Sequence, residues 1–217
     1  MPARMEHWIK QHPLLTFFGL AYALRWTFEI PALLLAHRVG LSLSNEDNLL
    51  HFFRLVQLQL TAAEAFPFIL FMLAAGPLFA ALFVTAVIEG RAGLRDLGRR
   101  IVHWRVSPRW YLVVLGLPLL LSAASLAAGA LLGGLGGFTL KLPLSHFVPF
   151  VLFMMLFTGL YEEPGWRGFA LPHLQRRWSA ETSSWILGVM WGLWHLPFTV
   201  YYNRANHPLV LIPALIC

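Results

Sequence analysis

Charged side chains are scarce in this chain. Asp, Glu, Lys and Arg make up 12% of its 217 residues, whereas 58% of the residues are hydrophobic. A soluble globular domain carries about 25% charged residues. The composition therefore excludes an ordinary soluble domain and predicts an integral membrane protein.

Cysteine is nearly absent as well. The single cysteine is Cys217, the last residue. A disulfide within the chain and a zinc site built from cysteines are therefore both excluded. The sequence also lacks internal repeats and low-complexity tracts, so we predict one all-α domain over residues 1–217, a polytopic helical bundle in the membrane.

The apolar residues are grouped into runs long enough to cross a bilayer, which takes roughly 20 residues per helix. We predict about six spans, with amphipathic interfacial helices between some of them. The predicted spans are residues 13–36, 65–88, 110–132, 146–161 and 183–200, and a sixth run that begins at residue 208. Pro77 is expected to bend the second span.

Basic residues cluster between these spans, at residues 4–10, 91–109 and 176–177. In an alternating topology all three clusters fall on one side of the membrane, which the positive-inside rule makes cytoplasmic. We therefore predict a cytoplasmic amino terminus. Residues 90–109 are expected to form a basic amphipathic helix at the membrane surface, because apolar residues recur there at helical spacing. Nucleic-acid binding is not expected.

The first predicted span contains Arg25 and Glu29, four residues apart. This spacing places the two side chains on one face of a helix, where they can neutralise each other. We interpret them as an internal ion pair turned toward the bundle. A supporting role at a polar site is the alternative.

A second group of charges follows the fourth predicted span, in the run from Tyr161 to Arg167. Glu163 and Arg167 are spaced for an ion pair on a helix. Glu162 points about 100° away from Glu163, so it is the less compensated acid. An ionisable side chain at membrane depth indicates a functional site by default, and a carboxylate in a partly desolvated place is suited to act as a general base.

His195 lies near the end of the fifth predicted span. It shares one helix face with Ser184, Gly188 and Gly192, small residues that let another helix approach closely. Counting 1.5 Å per residue places His195 roughly 18 Å and Glu162 roughly 14 Å from the cytoplasmic side. We therefore expect the two side chains to share a water-filled pocket, with Trp191 as one of its walls, in which water can be activated to attack a peptide carbonyl.

These residues carry a family resemblance. Glu162-Glu163-Pro164-Gly165-Trp166-Arg167 resembles the EExxxR motif of the CPBP intramembrane proteases, which include the CAAX prenyl endopeptidases and the Abi group of bacterial immunity proteins. Trp191-Gly192-Leu193-Trp194-His195 resembles the second motif of this family, an aromatic residue and a histidine with three residues between them. Both motifs are in the expected order on successive spans.

The resemblance implies an intramembrane endopeptidase and a role for each motif residue. Glu162 would activate water, Glu163 and Arg167 would hold the site together, and His195 would work with Glu162 or bind a metal. Zinc is an implied cofactor, with Glu162 and His195 as its ligands. One histidine and one or two carboxylates fall short of the three protein ligands of a catalytic zinc, so a metal-free glutamate mechanism stays open.

The chain departs from the family pattern in one respect. A later motif, a histidine with Asn or Asp four positions on, is not found; His207 is followed by Pro-Leu-Val-Leu. Because the chain stops inside an apolar run, we expect it to be incomplete at its carboxyl end.

The expected partners are the lipid bilayer and a peptide or protein substrate, either prenylated or bearing a leader, cleaved near the cytoplasmic face of a bacterial plasma membrane. Two other functions stay open. A non-catalytic binding or immunity protein on the same fold would retain its function in a Glu162→Gln variant. A proton-coupled transporter is disfavoured because the sequence shows no inverted repeat.

Overall fold

The computed structural model describes residues 2–132 and 142–203, and all regular structure in these ranges is helical. Its helices, numbered in chain order, are α1 (Ala3–Gln11), α2 (Pro13–Arg38), α3 (Asn45–Val56), α4 (Ala62–Met72), α5 (Gly76–Ile101), α6 (Pro108–Leu131), α7 (Leu144–Gln175), α8 (Ala180–Trp194) and α9 (Leu196–Asn203). Four of the described helices, α2, α5, α6 and α7, are long and apolar enough to cross a membrane. The predicted all-α membrane bundle is confirmed.

The described residues divide into two compact units. Residues up to Ile101 and from Phe147 onward form the first unit, and Val102–His146 forms the second. The second unit contains α6, the most apolar of the four long helices. All predicted site residues belong to the first unit. The prediction of a single domain is not tested by this division and stays a prediction.

The predicted second span is two helices rather than one bent helix. Helix α4 ends at Met72, and α5 begins at Gly76 with Pro77 as its second residue. Proline has no backbone N–H and its ring clashes with the carbonyl four residues earlier, so it starts a helix more readily than it continues one. Pro77 therefore separates two helices where we expected a bend.

Helix α4 begins with a capping box. The Thr61 hydroxyl accepts a hydrogen bond from the Glu64 backbone N–H at 3.3 Å, and the Glu64 carboxylate accepts one from the Thr61 N–H at 3.0 Å. Arg54, at the end of α3, donates to the same carboxylate at 3.0 Å. These hydrogen bonds lower the pKa of Glu64 to about 2, with those from Thr61 making the largest contribution.

The basic segment begins where α5 changes direction. Gly90 has a φ of 64°, a left-handed conformation that costs glycine little. The helix then continues from Arg91 to Ile101 and stops. The predicted basic helix over residues 90–109 is thus correct for its first part and wrong for residues 102–107, which are not helical.

Helix α7 is irregular around the predicted acidic motif. Two segments, Met155–Gly159 and Pro164–Ala170, are π-helical, and Leu160–Glu163 between them is α-helical. Pro164 removes a backbone donor, so the regular α-helical ladder cannot pass through it. Such π-segments are frequent at functional sites. The regular α-helical ladder is therefore disturbed at Pro164 and Gly165.

The acidic motif is held in place by close packing between α7 and its neighbours. A Cβ atom added at Gly165 would lie 2.5 Å from Pro77 Cβ, so only glycine permits this approach of α7 to α5. Trp166 is completely buried and packs edge-to-face against Phe17 and Trp194, with ring centroids 5.5 and 5.8 Å apart. These contacts fix the orientation of the residues that precede them.

The predicted fifth span is also interrupted. Helix α8 ends at Trp194 and α9 begins at Leu196, because Pro197 cannot continue the hydrogen-bond ladder of α8. In the described part of the chain, the predicted contact face of small residues is wrong at Ser184 and Gly188 but correct at Gly192, which is buried. Ser184 and Gly188 are exposed there, whereas Ser183, Leu187 and Trp194 are buried. The predicted sixth run and His207 lie outside the described residues.

Candidate functional site

Glu162 is oriented by a tryptophan from the next helix. It lies in the short α-helical part of α7, and its Oε2 accepts a hydrogen bond of 2.9 Å from Trp191 Nε1 on α8. A hydrogen bond to a charged acceptor is stronger than one between two neutral groups. The second carboxylate oxygen is free of this contact, so Glu162 can bind a further donor without losing its anchor.

His195 is oriented by the same tryptophan. Its Nδ1 is 3.0 Å from the backbone carbonyl oxygen of Trp191, one turn earlier in the chain. A carbonyl oxygen can only accept, so Nδ1 carries the proton and, in the neutral ring, Nε2 is an acceptor. The Trp191 ring also packs edge-to-face on the imidazole at 4.4 Å. Trp191 thus holds both predicted catalytic groups.

Glu162 and His195 line one cavity of about 110 Å³ inside the first unit. Its wall also contains polar side chains from α2 and α3 and several aromatic rings. The full lining is Arg25, Asn45, Asn48, Phe71, Met72, Phe153, Phe157, Thr158, Tyr161, Glu162, His195 and Phe198. The structure therefore brings together the acid and the histidine that the sequence places at similar depth. Trp191 is not among the lining residues, so its predicted place as a wall of this cavity is wrong. The catalytic roles of Glu162 and His195 stay predictions.

Glu163 and Arg167 face a different space. They form the predicted ion pair at 2.8 Å, and both side chains are about half exposed. They line a groove of about 460 Å³ together with Arg100, on another side of α7 from the cavity of Glu162. The structure thus does not bring the second acid and the arginine of the motif into the cavity.

Arg25 and Glu29 form the predicted internal ion pair, with the Glu29 side chain completely buried. Arg25 also lines the cavity beside Glu162 and His195. The predicted ion pair is therefore present, and Arg25 lies at a polar site, whereas the supporting role of the alternative interpretation stays a prediction. The sequence signal was an arginine in the middle of an apolar run, but spacing along α2 does not tell which helix Arg25 meets.

Asn48 is a cavity residue that the sequence did not indicate. It is buried on α3, and its Nδ2 donates to the backbone carbonyl of Leu43 at 2.9 Å. Its Oδ1 has no hydrogen-bond partner among the described residues. The polar run of residues 45–48 is visible in the sequence, but such a run fits a surface loop as well as a cavity wall.

The described residues do not make up a zinc site. Within the two described ranges, no three His, Cys, Asp or Glu side chains lie close enough together to hold a metal ion. Glu162 and His195 supply two donors, whereas catalytic zinc takes three protein ligands. Zinc binding by Glu162 and His195 therefore stays a prediction.

Known proteins resemble the part of the chain that contains both motifs. Residues 144–217 match the family model described as Type II CAAX prenyl endopeptidase Rce1-like. CAAX prenyl protease 2 of Methanococcus maripaludis is 40% identical over 72 residues, which are 33% of this chain. The matched part is 25% of the relative, so the chain spans about a quarter of the length of that curated protein. No solved structure matches the chain.

The matched residues include Glu162, Trp191 and His195, the three groups that the structure links at the cavity. Sequence likeness and geometry therefore agree on the same site. Residues 144–217 are thus similar to the Rce1-like endopeptidases, in agreement with the family resemblance of the two motifs.

Proposed function

We propose that this protein is an intramembrane endopeptidase that hydrolyses a peptide bond in the cavity lined by α2, α3, α4, α7, α9 and the junction between α8 and α9. The observation that supports it most is the pair of acceptors in that cavity: Glu162 held by the Trp191 indole, and His195 held by the Trp191 carbonyl. Both lie in the segment that matches CAAX prenyl endopeptidases.

The chemistry follows from the free acceptor atoms. A water molecule between Glu162 and His195 can donate one proton to the second carboxylate oxygen and the other to Nε2, which turns its lone pairs toward a substrate carbonyl. Glu162 takes the proton of the attacking water as a general base and returns it to the leaving nitrogen as a general acid. His195 positions the water, and its Nδ1–H stays bonded to the Trp191 carbonyl.

The proposed substrate is a peptide or protein that ends in a CAAX motif, in which the cysteine is prenylated. The name of the relative, CAAX prenyl protease 2, supports this class. A leader-bearing peptide is the alternative substrate. The arginine clusters favour cleavage near the cytoplasmic face, with the amino terminus on that side, and we propose a bacterial plasma membrane as the location.

The test is cleavage of a prenylated CAAX peptide by the purified protein in lipid vesicles. Glu162→Gln keeps the size of the side chain but removes the base, so kcat is expected to fall about 10²- to 10⁴-fold. Glu181→Gln is the matched control, because Glu181 is exposed in the first turn of α8 and does not line the cavity.

Two outcomes would change the account. Unchanged cleavage by the Glu162→Gln variant would refute the assigned base. If the wild-type protein cleaves neither a CAAX peptide nor a leader peptide but protects cells equally well with Glu162 or Gln at this position, the protein is a binding or immunity protein. Cleavage that continues in the presence of a strong zinc chelator would show that the zinc prediction is wrong.

A further inference from the structure

Arg25 is the charged residue of the cavity to which the proposed mechanism gives no role. It lies on α2, whose register against α8 is fixed by three hydrogen bonds. The Tyr22 hydroxyl donates to the Met190 carbonyl at 2.6 Å, and the Trp26 indole donates to the Trp194 carbonyl at 3.0 Å. In return, the Trp194 indole donates to the carbonyl of Ala21 at 3.2 Å. Arg25 is therefore held at the level of His195.

The guanidinium group of Arg25 is immobilised before any ligand binds. Its Cζ lies 4.7 Å from the ring centre of Trp194 and 4.9 Å from that of Phe71, and one of its nitrogens is paired with Glu29. A second nitrogen is 3.4 Å from the Ala74 carbonyl, a long hydrogen bond. A group held in this way loses little conformational freedom when it binds an anion.

The donors of Arg25 are not all used. A guanidinium group has five N–H donors, and the described residues accept from two of its nitrogens, while Nε is buried without a partner. Arg25 is also the only basic Lys or Arg side chain among the described residues that line the cavity. A simple structural ion pair needs neither unused donors nor access to a polar cavity.

We propose that Arg25 binds the free carboxylate at the carboxyl end of the substrate, and that this contact selects chain termini over internal peptide segments. The inference rests on the proposed peptidase function. A CAAX motif is the last four residues of its protein, so any substrate of this class brings a carboxylate close to the bond that is cut. Arginine is well matched to carboxylates, which it can bind with two parallel hydrogen bonds.

The distances fit this assignment. Arg25 and His195 both contact the Trp194 ring: the guanidinium Cζ lies 4.7 Å from the ring centre, and the centre of the imidazole lies 4.6 Å from it. The three residues that follow the cysteine of a CAAX motif span at most about 10 Å when they are extended. A carboxylate on Arg25 therefore leaves the scissile bond of a short terminal segment beside His195 and Glu162.

The experiment compares two peptides that differ only at their carboxyl end, a free acid and an amide, which lacks the charge. For the wild-type protein, kcat/KM is expected to be about 10- to 100-fold higher for the acid, the usual range for a charged hydrogen-bonded contact. Arg25→Gln is expected to bring this ratio close to one by lowering cleavage of the acid, and Arg25→Lys is expected to retain part of it.

The ratio is measured within each variant, so a smaller folded fraction does not affect it. Because removal of Arg25 leaves Glu29 buried without its partner, the double variant Arg25→Gln/Glu29→Gln is measured as well. It is expected to lose the preference for the acid in the same way. Equal cleavage rates on the two peptides by the wild-type protein would overturn the proposal. An unchanged acid-to-amide ratio in both Arg25→Gln and Arg25→Gln/Glu29→Gln would overturn it as well.

A binding assay separates this inference from the proposed function. Equilibrium binding of the two fluorescent peptides is measured on the Glu162→Gln protein with and without Arg25→Gln. A preference for the acid that disappears with Arg25→Gln supports the carboxylate site even if no peptide is cleaved. Equal binding of acid and amide in the presence of Arg25 overturns the carboxylate site even if cleavage by the wild-type protein is observed.

Discussion

Replacement of Trp191 by phenylalanine removes one hydrogen-bond donor from the site and little else. The indole Nε1–H is the donor that anchors Glu162 Oε2 at 2.9 Å. Phenylalanine keeps an aromatic ring against His195, and the Trp191 carbonyl that accepts from His195 Nδ1 belongs to the backbone and stays. A hydrogen bond to a charged group contributes about 1.5–3 kcal/mol, so kcat/KM is expected to fall roughly 10- to 150-fold.

The assay is cleavage of the CAAX peptide, with kcat and KM determined separately. The loss is expected mainly in kcat, because Trp191 orients the base and does not line the cavity. Trp185→Phe is the matched control, since Trp185 is on the same helix and 71% exposed. Activity of the Trp191→Phe protein within about twofold of wild type would refute the reasoning, as would an equal loss in the control.

Two further predictions concern stability. A Cβ at Gly165 would lie 2.5 Å from Pro77 Cβ, so Gly165→Ala is expected to destabilise the fold by about 1–3 kcal/mol and to lower the melting temperature. Gly188→Ala is the control. Because a Cβ at Gly188 would meet open space, this variant is expected to be neutral or slightly stabilising. The pKa of Glu64 is lowered to about 2 by its hydrogen bonds, chiefly those from Thr61. Its contribution to stability is therefore present above pH 4.5 and lost as the pH falls toward 2, so the melting-temperature difference between wild type and Glu64→Gln is expected to vanish in that interval.

The approach of Glu162 to His195 could be predicted because it depends on regular geometry. The rise of a helix is constant, so counting residues from the chain reversal between α7 and α8 gives both side chains a similar depth. The two motifs also indicated that the helices carrying Glu162 and His195 follow each other in the chain. The break at Pro197 did not disturb the estimate, because it follows His195.

The faces of the helices were harder to predict, since they depend on which neighbours each helix meets. The small residues Ser184 and Gly188 suggested a contact face, but in the described part of the chain the bulky Leu187 and Trp194 are buried instead. Arg25 is in the cavity because Tyr22 and Trp26 fix α2 against α8. Such contacts between residues far apart in sequence leave no periodic signal in either helix.

Glu162 and Glu163 show the same limit of sequence-based prediction for two adjacent residues. The sequence predicts correctly that Glu163 pairs with Arg167 and that Glu162 points elsewhere. It does not show that the ion pair lines a second groove with Arg100, because that depends on the packing of α5 against α7. Near neighbours on a helix are thus predictable, whereas the space into which each one points is not.

The central claim, that Glu162 and His195 line one cavity, is tested most directly by cysteine cross-linking in membranes. Cys217, the single cysteine of the chain, is first replaced by serine. A short bifunctional thiol reagent is then applied to the variants Glu162→Cys/His195→Cys and Glu163→Cys/His195→Cys. We predict efficient cross-linking of the first pair and little of the second, because Glu163 lines the other groove. Cross-linking of the second pair with none of the first would contradict the account.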